Sequence, residues 1–229
     1  MRRSGAINRS GHPRTPATQP DKRPRWVVGG ATILTFVALL YLIELVDQLM
    51  GNRLDANGIR PDTTDGLCGI IFAPLLHAGW PHLMANTVPM LVLGFLMTLA
   101  GLSRFVWATA IVWILGGFGT WLIGNWGSNC GPTDHIGASG LIFGWLAFLL
   151  VFGLFVRKLR DIVIGLVVLL LYGGVLLGAM PVLHSGCGGI SWQGHLCGAI
   201  AGVVAAYLLS APERNARARR KTDVSRLKT

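Results

Sequence analysis

The chain has 229 residues, of which 52% are hydrophobic and 13% are charged, and its mean hydropathy is +0.55. This composition is too apolar for an ordinary soluble domain and indicates a protein that crosses a membrane several times. The net charge of +10 does not indicate nucleic-acid binding, because seven of the 20 Lys and Arg precede Trp26 and seven follow Pro212. Basic clusters beside apolar segments are typical of membrane proteins, so the expected partner is the lipid bilayer.

The N-terminal residues 1–25 are rich in Arg and Pro and show no apolar periodicity, which predicts a disordered basic tail. The first apolar run, 26–50, is longer than the apolar part of a signal peptide and is not followed by a small-residue cleavage site. We therefore expect it to be a retained transmembrane helix.

Five further apolar runs follow, most of them near the ~20 residues that a ~30 Å hydrocarbon layer requires. They lie at about 82–100, 105–123, 139–156, 162–180 and 195–210. The sequence thus predicts an all-α polytopic membrane protein. Its six-helix membrane domain covers 26–210, and a basic tail covers 211–229.

An even number of spans places both termini on one side of the membrane. That side then carries the two tails, Arg104 and the basic turn at 157–160. Of the Lys and Arg residues, Arg53 and Arg60 lie on the opposite side. The positive-inside rule predicts that both termini are cytoplasmic. Because no mitochondrial-type transit peptide is evident, we expect the plasma membrane. Three connections face outward: 51–81, 124–138 and 181–194.

The fourth and sixth runs are short. At ~1.5 Å per residue, 139–156 spans roughly 27 Å and 195–210 roughly 24 Å, both less than the hydrocarbon layer. If their inner ends reach the inner interface, Ser139 and His195 lie several ångströms below the outer surface. Polar backbone at that depth is tolerated where it lines a water-filled cavity, so the sequence predicts a recessed aqueous site.

Glycine spacing indicates that these two runs touch. Gly140 and Gly144 lie four residues apart on one run, and Gly198 and Gly202 on the other. Small residues at that spacing let helix backbones approach closely. His195 projects from nearly the same face as Gly198 and Gly202, so the helix contact should also bring its imidazole to Ser139.

A serine becomes a useful nucleophile when a base within hydrogen-bond reach takes its proton. No Lys lies in any predicted span, which excludes a Ser-Lys pair. Asp134 remains open as a group that orients a histidine. We prefer a dyad of Ser139 and His195 without an acidic third member. The carboxylates in or near the spans lie elsewhere, at Glu44, Asp47 and Asp161.

The developing oxyanion of such a reaction needs hydrogen-bond donors. His82 and Asn86 lie four residues apart at the start of the second run, so their side chains share one helix face. Together with the Ser139 backbone N–H they are candidate oxyanion donors. The alternative is that His82 and Asn86 form an interhelical hydrogen-bond pair that holds helices together.

Three motifs carry a resemblance to the rhomboid family of intramembrane serine proteases. GASG at 137–140 resembles the family's GxSG, and His195 with Gly198 and Gly202 resembles its HxxGxxxG. The family's HxxxxHxxxN is matched by His77, His82 and Asn86. The motifs occur in family order, and the similarity covers roughly 60–210.

The resemblance implies a six-helix rhomboid-like bundle with Ser139 as nucleophile and His195 as general base and acid. It also implies that His82, Asn86 and the Ser139 amide stabilise the oxyanion. The implied substrate is a transmembrane protein, cleaved in or just outside its membrane helix, and neither a cofactor nor a metal is implied.

The chain departs from the family pattern at two places. The Trp-Arg pair that the family often carries in the first outer loop is absent from 65–74. Phe143 stands where the family often has Tyr, so its ring can pack on the His195 ring but the hydroxyl is lost.

We further expect a disulfide among the outward-facing cysteines, which lie where oxidation is possible, with Cys130 to Cys187 the first choice. The alternative is that they are small buried residues. Those cysteines are Cys68, Cys130 and Cys187.

Glycines along the fifth run, 162–180, favour a loosely packed helix that opens as a lateral gate. The alternative is ordinary small-residue packing.

Two other functions remain open. A catalytically inactive rhomboid-like protein would bind transmembrane helices without cleaving them, although such a protein would tend to lose the serine or the histidine. A solute or metal transporter would use histidines and outer cysteines, although the chain has no HExxH motif. The histidines in question are His77, His82, His135 and His184.

Overall fold

The computed structural model describes residues 23–127, 134–179 and 191–226. Six of its helical stretches are long and apolar enough to cross a membrane, and the described ranges contain no β-strand. This confirms the predicted all-α, six-span architecture. In chain order the α-helices are α1 (Arg25–Leu49), α2 (Thr64–Phe72), α3 (Trp80–Leu99), α4 (Leu102–Ile111), α5 (Gly117–Ile123), α6 (Ser139–Val156), α7 (Leu159–Tyr172), α8 (Trp192–Leu209) and α9 (Ala211–Arg226).

Two helices that carry candidate site residues begin two or three residues before the predicted runs. α3 begins at Trp80 rather than 82, because Pro81 fits the first turn, where its missing N–H costs no hydrogen bond. α8 begins at Trp192 rather than 195, because the Ser191 hydroxyl accepts a hydrogen bond from the Gly194 backbone N–H at 3.0 Å. His195 therefore lies in the first turn of its helix.

α6 is the central helix. Two thirds of its positions are buried, compared with 11% for the span that contains α7. A helix that is apolar on every side belongs in an interior, and α6 is packed against α8, α7 and α3. The Trp145 indole, which is fully buried, donates a hydrogen bond to Thr109 of α4 at 3.0 Å. The outer helices leave large apolar side chains exposed, as expected for surfaces that face lipid.

The third span changes helix type in its middle. α4 passes through a π-helical turn, Val112–Gly116, into α5. Turns of this kind are rare and often lie at functional sites. Val112 lies against Gly144 of α6, and Gly116 lies against Gly198 of α8. The turn therefore fits the span between the two helices that carry Ser139 and His195.

The long first connection has structure of its own. It contains the 3-10 helix Leu54–Asn57 and the short helix α2. Two indole groups of the third span hold it in place: Trp113 donates to the Ile70 carbonyl at 2.9 Å and Trp121 to the Thr63 carbonyl at 2.8 Å. We call the side of the bundle that carries this connection the loop side.

Three carboxyl groups tie the loop-side end of α1 to the connection that follows it. Glu44 and Asp47 are almost fully buried. Asp47 accepts a hydrogen bond from the Leu54 backbone N–H at 2.7 Å, and Gln48 donates to Glu44 at 2.9 Å. Burial and the charges of Asp47 and Glu44 raise the pKa of Asp55 to about 6. The folded protein therefore favours the protonated form of Asp55.

Candidate active site

The contact between α6 and α8 is made backbone to backbone. A Cβ atom at Gly198 would overlap the Gly140 carbonyl, and one at Gly202 would overlap the Gly144 carbonyl. The two helices can approach this closely because α8 has no side chain at these positions. The spacing of glycines in the sequence predicts this contact.

The contact brings the two sequence-predicted polar side chains together. His195 Nε2 lies 2.9 Å from Ser139 Oγ, within hydrogen-bond distance. His195 is buried, and its ring stacks on Phe143 with 4.1 Å between ring centroids and 10° between planes. The phenyl group thus occupies the place expected for it and holds the imidazole plane against α6.

Asp134 has a different partner. Its carboxylate binds the Arg60 guanidinium at 2.9 Å, and this ion pair also raises the pKa of Arg60. The pair connects the first connection to the segment that leads into α6. The Asp134 carboxylate is therefore held by Arg60 on the side of the first connection.

His82 lies beside the turn that precedes Ser139. Gly137 has φ +116°, and a Cβ atom there would lie 2.7 and 2.8 Å from Cε1 and Nε2 of the His82 ring. His82 Nδ1 accepts a hydrogen bond from the Ala78 backbone N–H at 3.3 Å. The proton of the neutral ring is therefore on Nε2, the nitrogen that faces the Gly137 turn.

Asn86 lies one turn further along α3 on the same face. It is buried, and its Nδ2 has no hydrogen-bond partner among the residues that the structure describes. An unpaired buried amide is costly, so such a group commonly awaits a ligand or a reacting atom. The alternative from the sequence is that His82 and Asn86 bond to other helices, and among the described residues neither side chain has a hydrogen bond to another helix.

His77 holds the same turn from the other side. The Ala138 backbone N–H donates to its Nε2 at 3.3 Å, and its ring makes an edge contact with His82 at 5.1 Å. Burial, with a smaller contribution from His82, lowers the pKa of His77 to about 4. The ring is therefore neutral at physiological pH and can accept this hydrogen bond.

A cavity of about 50 Å³ opens beside Ser139. Its walls come from the first connection, the π-helical turn, the 135–141 segment and the start of α8. It has room for water or for one small side chain. The polar residues that line it are Thr120, His135, Ser139 and Ser191.

Sequence reasoning missed one pair of these residues. His135 Nδ1 and Ser191 Oγ lie 2.6 Å apart. The sequence separation of this pair, 56 residues, equals that of Ser139 and His195. Each member lies four residues before a residue of the proposed dyad, and this shared offset can be recognised only after the dyad has been assigned.

Some expectations fall outside the described residues. Cys130, Cys187 and His184 lie there, so the preferred disulfide is not tested by the structure. Cys68 is an exposed free thiol and Cys197 a buried one. Among the described residues, no group of three or more His, Cys, Asp or Glu side chains is arranged to hold a metal ion.

Residues 64–212 match the Rhomboid domain family. An uncharacterised protein of Mycobacterium tuberculosis is 81% identical over 220 residues, which cover 95% of this chain and 91% of that protein. An uncharacterised Mycobacterium leprae protein is 71% identical over 216 residues, covering 93% and 85% of the two chains. A mimivirus protein named as a rhomboid protein is 28% identical over 152 residues, covering 66% and 81%.

Proposed function

Because this chain belongs to the rhomboid family, we propose that it is an intramembrane serine protease that cleaves membrane-protein substrates in or next to their transmembrane helices. The observation that carries the proposal is the 2.9 Å contact between Ser139 Oγ and His195 Nε2. It occurs in a multi-pass membrane protein, at the start of two helices that pack without intervening side chains.

Ser139 is the nucleophile in this proposal, and His195 is the base. As Ser139 Oγ forms its bond to the substrate carbonyl carbon, His195 Nε2 takes the hydroxyl proton. The imidazolium then gives that proton to the departing amide nitrogen, and the C–N bond breaks. Water, activated by the same ring, hydrolyses the acyl-enzyme and restores the serine.

The negative charge on the substrate oxygen needs donors that are already in place. His82 Nε2–H faces the turn before Ser139, Asn86 Nδ2 is unpaired among the described residues, and the Ser139 N–H lies at the start of α6. A preorganised donor of this kind contributes about 2.7 to 4 kcal/mol to transition-state stabilisation. We assign all three groups to the oxyanion hole.

Substrate helices reach this site from the lipid, and α7 is the element that we propose as the gate. Gly165 and Val168 are its buried residues, and most of its other side chains face outward. Because so little of its surface is buried, α7 loses less on separating from the bundle than the central helix α6 would. Cross-linking α3 to α7 is expected to stop cleavage, and undiminished turnover would exclude the gate.

The orientation is also a proposal. Nearly all Lys and Arg lie on the side of the two termini, which supports cytoplasmic termini by the positive-inside rule. We propose the plasma membrane as the location. The loop side, with Ser139 and His195, then faces outward.

The proposal is tested in liposomes with a generic single-span substrate. The parent protein is expected to cleave it and to react with a fluorophosphonate probe at Ser139. Ser139→Ala and His195→Ala are expected to abolish cleavage while the protein still inserts. Ser103→Ala, at an exposed serine in the first turn of α4, is the matched control that retains activity.

The same experiment separates a protease from a catalytically inactive helix-binding protein. If the probe labels Ser139→Ala as strongly as the parent, Ser139 is not the reactive serine. If the parent retains the substrate in a pull-down but neither cleaves it nor reacts with the probe, the protein is a binder.

A further inference from the structure

A second histidine and serine lie beside the proposed dyad. His135 Nδ1 and Ser191 Oγ are 2.6 Å apart, and both residues line the cavity next to Ser139. His135 lies four residues before Ser139, and Ser191 lies four residues before His195. The two pairs therefore connect the same two segments of the chain, one turn apart.

The hydrogen bonds around Ser191 determine which group donates. Ser191 Oγ already accepts the Gly194 backbone N–H at 3.0 Å as the N-cap of α8. Its own hydroxyl proton is then available for His135 Nδ1. On the other side of the ring, Nε2 lies against Gly124, whose N–H already donates to the Thr120 carbonyl, so the Gly124 backbone can offer Nε2 an acceptor only. A hydrogen bond to that acceptor requires an N–H, so His135 has its proton on Nε2 and accepts at Nδ1.

The backbone of His135 is fixed as well. It forms an antiparallel bridge with Ile59, with N–O distances of 2.8 and 2.9 Å. The residue thus joins the first connection, the end of the third span and the start of α8. From this junction the chain continues through the turn at Gly137 to Ser139.

We propose that the His135–Ser191 hydrogen bond positions the Ser139–His195 dyad, a role that rests on the proposed function. The Ser191 carbonyl accepts the His195 backbone N–H at 3.1 Å, so a shift of Ser191 moves His195 directly. His135 holds the segment that leads to Ser139. The hydrogen bond therefore sets the position of the base relative to the nucleophile.

The packing of α6 on α8 explains why an additional contact such as the His135–Ser191 hydrogen bond is needed. At Gly198 and Gly202 the α8 backbone rests on carbonyl groups of α6. This contact brings the two backbones close together, but it does not touch the Ser139 and His195 side chains, so their relative position depends on further contacts at the helix starts. A misplacement of about 1 Å between reacting groups can cost about 10²-fold in rate.

The charges around His135 favour a neutral ring whose Nδ1 accepts a hydrogen bond. Burial lowers the pKa of His135, and the neighbouring Asp134 acts in the opposite direction. Arg60, from the first connection, binds the Asp134 carboxylate and offsets its effect. The ring is therefore neutral at physiological pH. If the ring were protonated, Nδ1 would become a donor and the Ser191 hydroxyl would lose its acceptor.

The decisive variant is Ser191→Asp. An aspartate caps a helix as well as a serine does, but it has no proton to give to Nδ1. A carboxylate also favours the protonated ring. We expect kcat to fall by about tenfold relative to the parent at alkaline pH, with little change in KM. The ratio of variant to parent should rise as the pH falls and the ring gains a proton.

Two further variants separate positioning from capping. Ser191→Thr keeps both the cap and the hydroxyl and is expected to stay within about twofold of the parent. Ser103→Asp introduces the same substitution at the exposed first turn of α4 and should leave kcat unchanged. If Ser191→Asp equals the parent at every pH, Ser191 is a cap and the proposal is wrong. An equal deficit in Ser191→Asp and Ser191→Thr also overturns it.

A readout independent of proteolysis distinguishes failure of this proposal from failure of the proposed function. In ¹⁵N-histidine NMR spectra of the full protein, His135 should show the Nε2–H tautomer, and Ser191→Asp should shift the His195 ring resonances. Unchanged His195 resonances overturn the positioning role. If the parent neither cleaves substrate nor labels at Ser139, the protease assignment fails, and these spectra still decide whether His135 and Ser191 position His195.

Discussion

Gly198 of α8 rests on the carbonyl of Gly140 with no room for a Cβ atom, whereas a Cβ atom at Gly140 would lie 3.5 Å from the nearest contact, the Gly194 carbonyl. The close approach therefore depends on the glycine of α8 and much less on that of α6. Ser139 and His195 are neighbours because this face of α8 is bare.

The first prediction concerns this face. Gly202→Ala is expected to push α8 away from the Gly144 carbonyl, lowering stability by about 1–3 kcal/mol, as overpacking does, and lowering proteolysis. Gly174→Ala is the control, since a Cβ atom there meets nothing within 4 Å. Thermal unfolding in mild detergent measures the difference. Equal unfolding temperatures for the two variants would contradict the tight contact.

The second prediction concerns the ring that stacks on His195. Removing it by Phe143→Ala leaves the imidazole free to tilt, and aromatic stacking contributes about 0.5–1.5 kcal/mol. We expect kcat to fall by up to about tenfold. Phe118→Ala removes a ring that stacks on Trp121 instead, and it should leave kcat unchanged. A kcat for Phe143→Ala equal to that of the parent would show that the stacking does not orient the base.

The third prediction tests the oxyanion donors. Asn86→Ala removes a buried amide that has no partner among the described residues, so a purely structural effect should be small. If the amide binds the oxyanion, kcat should fall by about 10²–10³ with little change in KM. Asn125→Ala removes an exposed amide that bonds to Asp62, and it serves as the control. A rise in KM alone would move Asn86 from the oxyanion hole to substrate binding.

The fourth prediction uses the pKa of His77. Burial lowers it from 6.5 to about 4, so folding favours the neutral ring. The stability from this group is complete above about pH 6.5 and is lost as the pH falls toward 4. His77→Gln keeps an acceptor for the Ala138 N–H but cannot titrate. The unfolding temperature of this variant should fall less than that of the parent between neutral and mildly acidic pH, and parallel curves would exclude the effect.

The fifth prediction concerns Asp55, whose contribution to stability changes with pH in the opposite direction to that of His77. The pKa of Asp55 is raised from 3.8 to about 6, so folding favours the protonated acid and stability declines as the pH rises through that interval. Asp55→Asn mimics the protonated form. It should raise the unfolding temperature at neutral pH and have a smaller effect near pH 4, where the parent acid is protonated. Asp223→Asn, at an exposed position of α9, is expected to change neither value.

Much of the fold can be predicted from the sequence, because a membrane span is defined by the length and polarity of an apolar run. Six apolar runs, with basic residues almost confined to one side, leave few arrangements open. The apposition of Ser139 and His195 follows from glycines at helical spacing near two polar residues. Both features are local in the sequence, and that explains why they can be recognised without coordinates.

Other parts of the site depend on tertiary contacts and have no such local signal. The His135–Ser191 bond joins residues that each look ordinary in isolation. His77 accepts a hydrogen bond from the Ala138 backbone, and backbone donors leave no trace in residue type. The order within the first connection arises from indole groups of a distant span, Trp113 and Trp121, so it cannot be deduced from the connection itself.

The π-helical turn at Val112–Gly116 changes which faces of the third span point toward its neighbours. One added residue in a helix rotates everything after it by about 100° around the axis. The half before the turn and the half after it are therefore out of phase, and a helical wheel drawn through 102–123 would assign Gly117 and Thr120 to the wrong neighbours. Deleting one residue from the turn would let the span continue as an α-helix with Gly117 and Thr120 still facing the first connection and α8, whereas deleting one residue elsewhere in the span would rotate the far half away from them by about 100°.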